Sequence, residues 1–210
     1  MPQLRHASPE ITAQAAELIA AGRELYARGM VPATSGNFSA RLDGERMAIT
    51  VSGRHKGELT LDDIMTADLQ GNSLDTGKRP SAETLLHTQL YRRFPEVGAV
   101  LHTHSLNATL ISRLCRGEVV LKDYELLKAF EGIDTHESTL VVPVFANDQD
   151  IPRLAQRVDA YLDSHPRVHG YLIQGHGLYT WGRDVKTTLH YLEAFEYLFA
   201  CELKLREIRS

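Results

Sequence analysis

Three histidines in this 210-residue chain stand in settings suited to holding a cation. His102-Thr103-His104 closes the apolar run 97–101, and residues two apart on a strand point to the same face. At ~3.3 Å of rise per residue their Cβ atoms stand about 6.6 Å apart. Two imidazoles rooted there can meet one ion at about 2.0–2.1 Å per bond. The same pair can also be polar residues at a strand end, satisfied by hydrogen bonds. His176 follows another apolar run inside Gln174-Gly175-His176-Gly177. The flanking glycines let the backbone turn tightly and come close to another group. Three imidazoles leave a fourth position open, as a catalytic zinc site requires. The other histidines read mostly as ordinary surface or packing residues. His87 and His190 do so because they fall within predicted helices.

Two segments are rich in residues that free backbone N–H groups for an anion. Thr34-Ser35-Gly36-Asn37 precedes a predicted hairpin, and Ser52-Gly53-Arg54-His55-Lys56-Gly57 follows it. Successive amides there can form an anion nest, with hydroxyls as further donors and Lys56 as a charge. Antiparallel pairing of the hairpin brings its two ends together, and Ser81 can add another hydroxyl. Glu83 and Glu125 each open a predicted helix, where a carboxylate suits the helix dipole. Either becomes an acid/base candidate only beside a metal and a phosphate.

These residues must be positioned by elements whose periods alternate between helix and strand. Ser8, Pro9 and Glu10 open an amphipathic helix that keeps Ile11, Ala15, Leu18, Ile19, Leu25 and Tyr26 on one face and stops at Gly29. Phe38, Ala40 and Leu42 alternate up to Asp43-Gly44, and Met47, Ile49 and Val51 alternate away from it. A short strand is expected over 65–69, a helix over 81–93, a strand over 97–103 and a helix over 107–114. A further helix is expected over 124–129, a strand over 139–145, and a helix capped by Asp150 that reaches about 162. A last strand spans 168–174, and a final helix capped by Asp184 runs to about 206. This pattern predicts a single mixed α/β domain over 1–210. Because several strands follow one another without a helix between, the sheet is not purely parallel.

Composition narrows the functions. With 23 basic and 27 acidic residues the formal charge is −4, which favours neither nucleic acid nor an anionic membrane. Two cysteines, Cys115 and Cys201, form no CxxC pair and no disulfide framework, which fits a reducing cytoplasm. No secretory signal opens the chain, and no apolar run nears the ~20 residues of a membrane span. Residues 71–79 mimic a phosphate loop, but five residues separate the glycines and Arg79 follows Lys78. The P-loop needs four, and then Ser or Thr.

Taken in order, TSGN, VSGRHKG, PSAE, HTHS and QGHG resemble the class II (zinc) aldolase and adducin family over about residues 10–205. Within it, ELLKAFEGIDTHEST and VVPVFANDQDI are most similar to the methylthioribulose-1-phosphate dehydratase branch of methionine salvage. The resemblance implies a three-layer α/β/α sandwich with a mostly antiparallel central sheet, a homotetramer, and one zinc per subunit on His102, His104 and His176. It implies that a sugar phosphate lies against Gly36, Asn37, Ser52, Gly53 and Ser81, with Thr34 and Lys56 nearby. It gives Glu83 an acid/base role as in the aldolases, and Glu125 that role as in the dehydratases. The aldolases tend to carry Ser-Ser-Glu where this chain has Ser81-Ala82-Glu83, so one phosphate hydroxyl is missing. The implied activity is dehydration of 5-methylthioribulose 1-phosphate. The alternatives are aldol cleavage of a ketose 1-phosphate and an adducin-like scaffold without catalysis.

Overall fold

The computed structural model describes residues 9–209, so Ser8 and His6 lie outside the described residues. In chain order the elements are α1 (Pro9–Ala27), β1 (Asn37–Arg41), β2 (Arg46–Thr50), β3 (Ile64–Asp68), α2 (Thr84–Arg93), β4 (Ala99–Thr103) and α3 (Leu106–Leu114). They continue with β5 (Gly117–Lys122), β6 (Thr139–Phe145), α4 (Ile151–Ser164), β7 (Gly170–Ile173), β8 (Gly177–Gly182) and α5 (Val185–Arg209). All strands join one eight-stranded sheet in the order β3-β2-β1-β4-β8-β7-β6-β5. Only β6 and β7 run parallel; every other neighbouring pair is antiparallel.

Helices cover both faces, giving three layers. Leu18 and Leu25 of α1, Ile111 of α3 and Leu192, Phe195 and Phe199 of α5 build the core on one face. Leu86, Leu90 and Tyr91 of α2 and Leu154, Val158 and Leu162 of α4 build it on the other. Both faces being covered, the central strands β1, β4 and β8 lose the polar-out alternation of a half-exposed strand and are buried at nearly every position. No helix among the described residues is long and apolar enough to cross a membrane.

Local sequence explains most boundaries. Asp150 and Asp184 accept from the backbone N–H groups of Arg153 at 3.1 Å and Thr187 at 2.6 Å, as helix N-caps do. The expected helix over 81–93 begins only at Thr84, with Glu83 as its N-cap residue. The segment 124–129 is a short 3-10 helix, Glu125–Ala129. Two strands depart from expectation. The run after residue 168 is not the last strand, because the chain turns at 174–176 and returns as β8, and β5 lies between α3 and the 3-10 helix.

Candidate metal centre and anion cavity

The centre of the sheet positions the site. In the registers of β1, β4, β8 and β7, Asn37 lies opposite His102, His102 opposite Tyr179, and Tyr179 opposite Tyr171. Residues opposite one another across strands share a face, so these four form one row beneath α2. The His102 ring stacks on Tyr179 with centroids 3.9 Å apart. His104 continues past the end of β4, where its backbone N–H donates to the Met30 carbonyl. His176 sits in the tight β7–β8 turn. A Cβ on the next residue, Gly177, would stand 1.9 Å from the Thr103 carbonyl oxygen, so only glycine lets this turn close onto the β4 end.

The three histidines converge as their spacing suggested. One ligand atom from each of His102, His104 and His176 lies within 4.8 Å of the others. His102 Nδ1 donates to the Leu178 carbonyl at 3.0 Å, which leaves its Nε2 as a bare lone pair. That lone pair faces Nε2 of His104 at 2.9 Å and Nε2 of His176 at 3.3 Å. Burial, followed by repulsion from His104 and His176, holds the His102 imidazole well below its ordinary pKa. Burial and then His176 lower that of His104 to about 4. Three imidazoles turned inward on one point are the donor set a divalent cation fits, with an oriented second nitrogen on His102 of the kind metal-bound imidazoles use.

Glu83 stands against this cluster. Its Oε1 lies 3.2 Å from His176 Nε2 and its Oε2 3.7 Å from His102 Nε2. Asn37 Nδ2 donates to Oε2 at 2.7 Å. One cavity of about 220 Å³ is lined by Thr34, Gly36, Asn37, Ser52, Gly53, Lys56 and Ser81 together with Glu83 and His104. The two ends of the β1–β2 hairpin thus meet beside the histidines. Gly36 has φ +75°, and a Cβ there would lie 2.6 Å from the His102 carbonyl oxygen, so the loop can lie flat against β4 only as glycine.

Lys56 gives the cavity its charge. Its side chain is buried, and Nζ donates to the carbonyls of Thr34 at 3.1 Å and Arg54 at 2.6 Å. Burial lowers its pKa to about 8. A buried ammonium bonded to carbonyls draws an anion to its side. Ser81 Oγ accepts from the Glu83 backbone N–H at 3.3 Å and keeps its own hydrogen to donate. Ser35 also lines the cavity, with a buried hydroxyl that has no hydrogen-bond partner in the structure. It belongs to the TSGN motif, but sequence reading did not single it out.

Two expected residues sit differently. Both polar atoms of the Asn37 side chain are engaged, Nδ2 with Glu83 and Oδ1 with His87. Asn37 is therefore a link behind the cavity as much as part of its wall. Glu125 is not brought to the histidines within the chain. Its side chain is 72% exposed and pairs with Lys128, with His136 at 3.9 Å. It lines a separate cavity with His190, Glu193 and Tyr197. A larger cavity, about 970 Å³, runs between Phe94, Trp181 and Tyr191 and contains none of the three metal-site histidines. We assign the chemistry to the smaller one, because reactive groups converge there.

The chain is similar to known proteins over nearly its whole length. Residues 16–203 match the model of the class II aldolase and adducin N-terminal domain. The chain is 62% identical over 190 residues to methylthioribulose-1-phosphate dehydratase of Pseudomonas aeruginosa strain PAO1, covering 90% of this chain and 93% of that protein. It is 60% identical over 200 residues to the enzyme of the same name from Methylococcus capsulatus strain Bath, covering 95% and 98%. Among solved structures it is similar to L-fuculose-1-phosphate aldolase from Thermus thermophilus, with a TM-score of 0.76, 25% identity, and 95% and 98% of the two chains covered.

Proposed function

The chain belongs to the class II aldolase and adducin N-terminal domain family, and from that premise we propose that it is a zinc-dependent hydro-lyase that dehydrates 5-methylthioribulose 1-phosphate in methionine salvage. The observation that carries this reading is a cluster of three inward-facing imidazoles that shares His104 and Glu83 with a cavity holding a buried lysine, in a chain so similar to dehydratases of that name. Zinc, one per subunit, fits three nitrogens with a position left for substrate.

His102, His104 and His176 would hold the ion, which when bound would supply Lewis acidity toward the ketose C2 carbonyl and so acidify the proton on C3. Lys56, Ser52, Ser81, Thr34 and the amides at Gly36 and Gly53 hold the phosphate and fix the distance from it to the reacting carbons. Glu83, beside the histidines, accepts the C3 proton. Glu125 gives a proton to the C4 hydroxyl, which departs as water, and the resulting enol tautomerises to the 2,3-diketone 1-phosphate.

Glu125 can act only if a second copy of the chain presents it to the site. Leu106, Leu110 and Leu114 support such an assembly. They form an exposed apolar stripe on α3 that begins two residues after His104. The homotetramer implied by the family resemblance would cover such stripes. In the free chain Lys128 holds the Glu125 carboxyl below its ordinary pKa, whereas burial against a second copy would raise it toward the acid form the step needs. Identifying the product formed from methylthioribulose 1-phosphate by the metal-loaded protein tests the proposal.

A further inference from the structure

Behind Glu83 a line of buried polar side chains runs between β1 and α2. Tyr91 OH lies 2.8 Å from Ser39 Oγ, and Ser39 Oγ lies 2.7 Å from His87 Nδ1. His87 Nε2 meets Asn37 Oδ1 in a short contact, and Asn37 Nδ2 meets Glu83 Oε2 at 2.7 Å. Ser39 and His87 are fully buried, and Tyr91 and Asn37 nearly so. The far end is fixed by Arg41, whose guanidinium lies over the Tyr91 ring at 4.8 Å and donates to the Tyr91 and Phe94 carbonyls at 2.8 and 3.2 Å.

The carboxylate sets the direction of every bond in this line. An ionised Glu83 only accepts, so the Asn37 amide must present its NH2 to it and its oxygen to His87. His87 Nε2 must then carry the proton and Nδ1 must accept it from the Ser39 hydroxyl, whose oxygen is left to accept from Tyr91. Turning the amide over would place its oxygen against the carboxylate, two acceptors facing each other with no proton between them. Burial keeps His87 neutral, with its pKa lowered to about 3, so the ring has one donor and one acceptor and its tautomer is the only variable.

We propose that His87 is a positioning residue, whose Nε2–H tautomer, matched at Nδ1 by the Ser39 hydroxyl, locks the Asn37 amide so that Glu83 is held against the metal-site histidines. This rests on the reading of Glu83 as the carboxylate of the site. Held this way, Glu83 Oε2 is engaged by Asn37 and Oε1 faces His176 Nε2 at 3.2 Å. Outer partners of this kind are worth ~10–100-fold in metal affinity or activity.

The wild-type, metal-free protein gives the first test. With histidines labelled by nitrogen-15, a long-range proton–nitrogen spectrum near pH 7 should show His87 as the Nε2–H tautomer, its signal assigned in the wild-type protein by its through-space contact with the Tyr179 ring, whose centroid lies 5.6 Å away. The Nδ1–H tautomer would overturn the proposal, and this holds even if substituted chains do not fold. The second test compares His87→Asn, which has no donor at the place of Nε2, with His87→Gln, which puts an amide N–H there. Asn should lower kcat and zinc affinity, the latter read by competition with a coloured chelator, by ~10–100-fold with KM little changed. Gln should recover most of both. Equal losses in Asn and Gln would mean that His87 only fills space, which contradicts positioning. A Glu83→Gln protein with wild-type turnover and zinc affinity would sink the reading of Glu83 itself. An impaired Glu83→Gln beside an unimpaired His87→Asn would sink the positioning role alone.

Discussion

Asn37 and Glu83, 46 residues apart in sequence, are joined by a 2.7 Å hydrogen bond from amide to carboxylate. The bond ties the first residue of β1 to the N-cap of α2 and holds Glu83 at the edge of the histidine cluster. Replacing that carboxylate should therefore damage the chemistry while sparing the fold. We expect Glu83→Gln to lower turnover by ~10²–10⁴ with far-UV circular dichroism unchanged. Turnover near the wild-type value would remove Glu83 from the reaction.

Lys56 predicts a pH dependence for phosphate binding. Its ammonium is lowered to about pKa 8 by burial, and a phosphate binds the charged form better than the neutral one. Affinity for a sugar phosphate should hold below pH 8 and weaken as pH rises through it. Titrating KM from pH 6.5 to 9.5 checks this. In Lys56→Met, KM should be high throughout and lack that rise, and a rise of the same size there would assign it to another group.

Folding stability should carry the signature of His87. In the folded state its pKa is lowered to about 3, whereas the unfolded chain protonates it near 6.5. Between those values the unfolded state binds one more proton, so stability falls as pH falls from about 6.5 toward 3. One such site contributes ~1.4 kcal/mol per pH unit within the window. Denaturant unfolding of the metal-free protein at pH 6 and 4.5 should show a shallower loss in His87→Gln than in the wild type. Identical slopes would place His87 in a solvated, titrating state.

Glu125 predicts a shared site. Because it is exposed on one chain while the histidines lie elsewhere, Glu125→Gln and His104→Ala should each be inactive alone. Oligomers formed by co-expressing the two should regain turnover, since some sites then combine an intact histidine cluster with an intact Glu125 from a neighbouring chain. Mixed oligomers as inactive as their parents would exclude that contribution.

What could be read before the structure was local chemistry. The HTH pair ends a strand and His176 lies between glycines, so three of ten histidines stood out, and the hairpin forced its two loops together. β8 escaped because only residues 174–176 separate it from β7, and their glycines read as a ligand turn rather than a hairpin. β5 escaped because its residues are buried at only two positions, Val119 and Leu121, which leaves little apolar alternation to read. His87 reads as one more helical histidine, since its partners Ser39 and Asn37 lie 48 and 50 residues away and meet it only through packing of α2 on β1. Glu125 stood out by resemblance, but whether a carboxylate serves its own chain or a neighbour is a property of the assembly, which no local pattern encodes.

The central claim is that this site eliminates water rather than cleaving a carbon–carbon bond. Zinc-loaded protein incubated with 5-methylthioribulose 1-phosphate, followed by phosphorus NMR and mass spectrometry, tests it directly. The expected product has lost one water and is the 2,3-diketo-5-methylthiopentyl 1-phosphate, with turnover abolished by a chelator and restored by zinc. Dihydroxyacetone phosphate and an aldehyde as the products, at substrate-stoichiometric yield, would contradict the account and make the protein an aldolase.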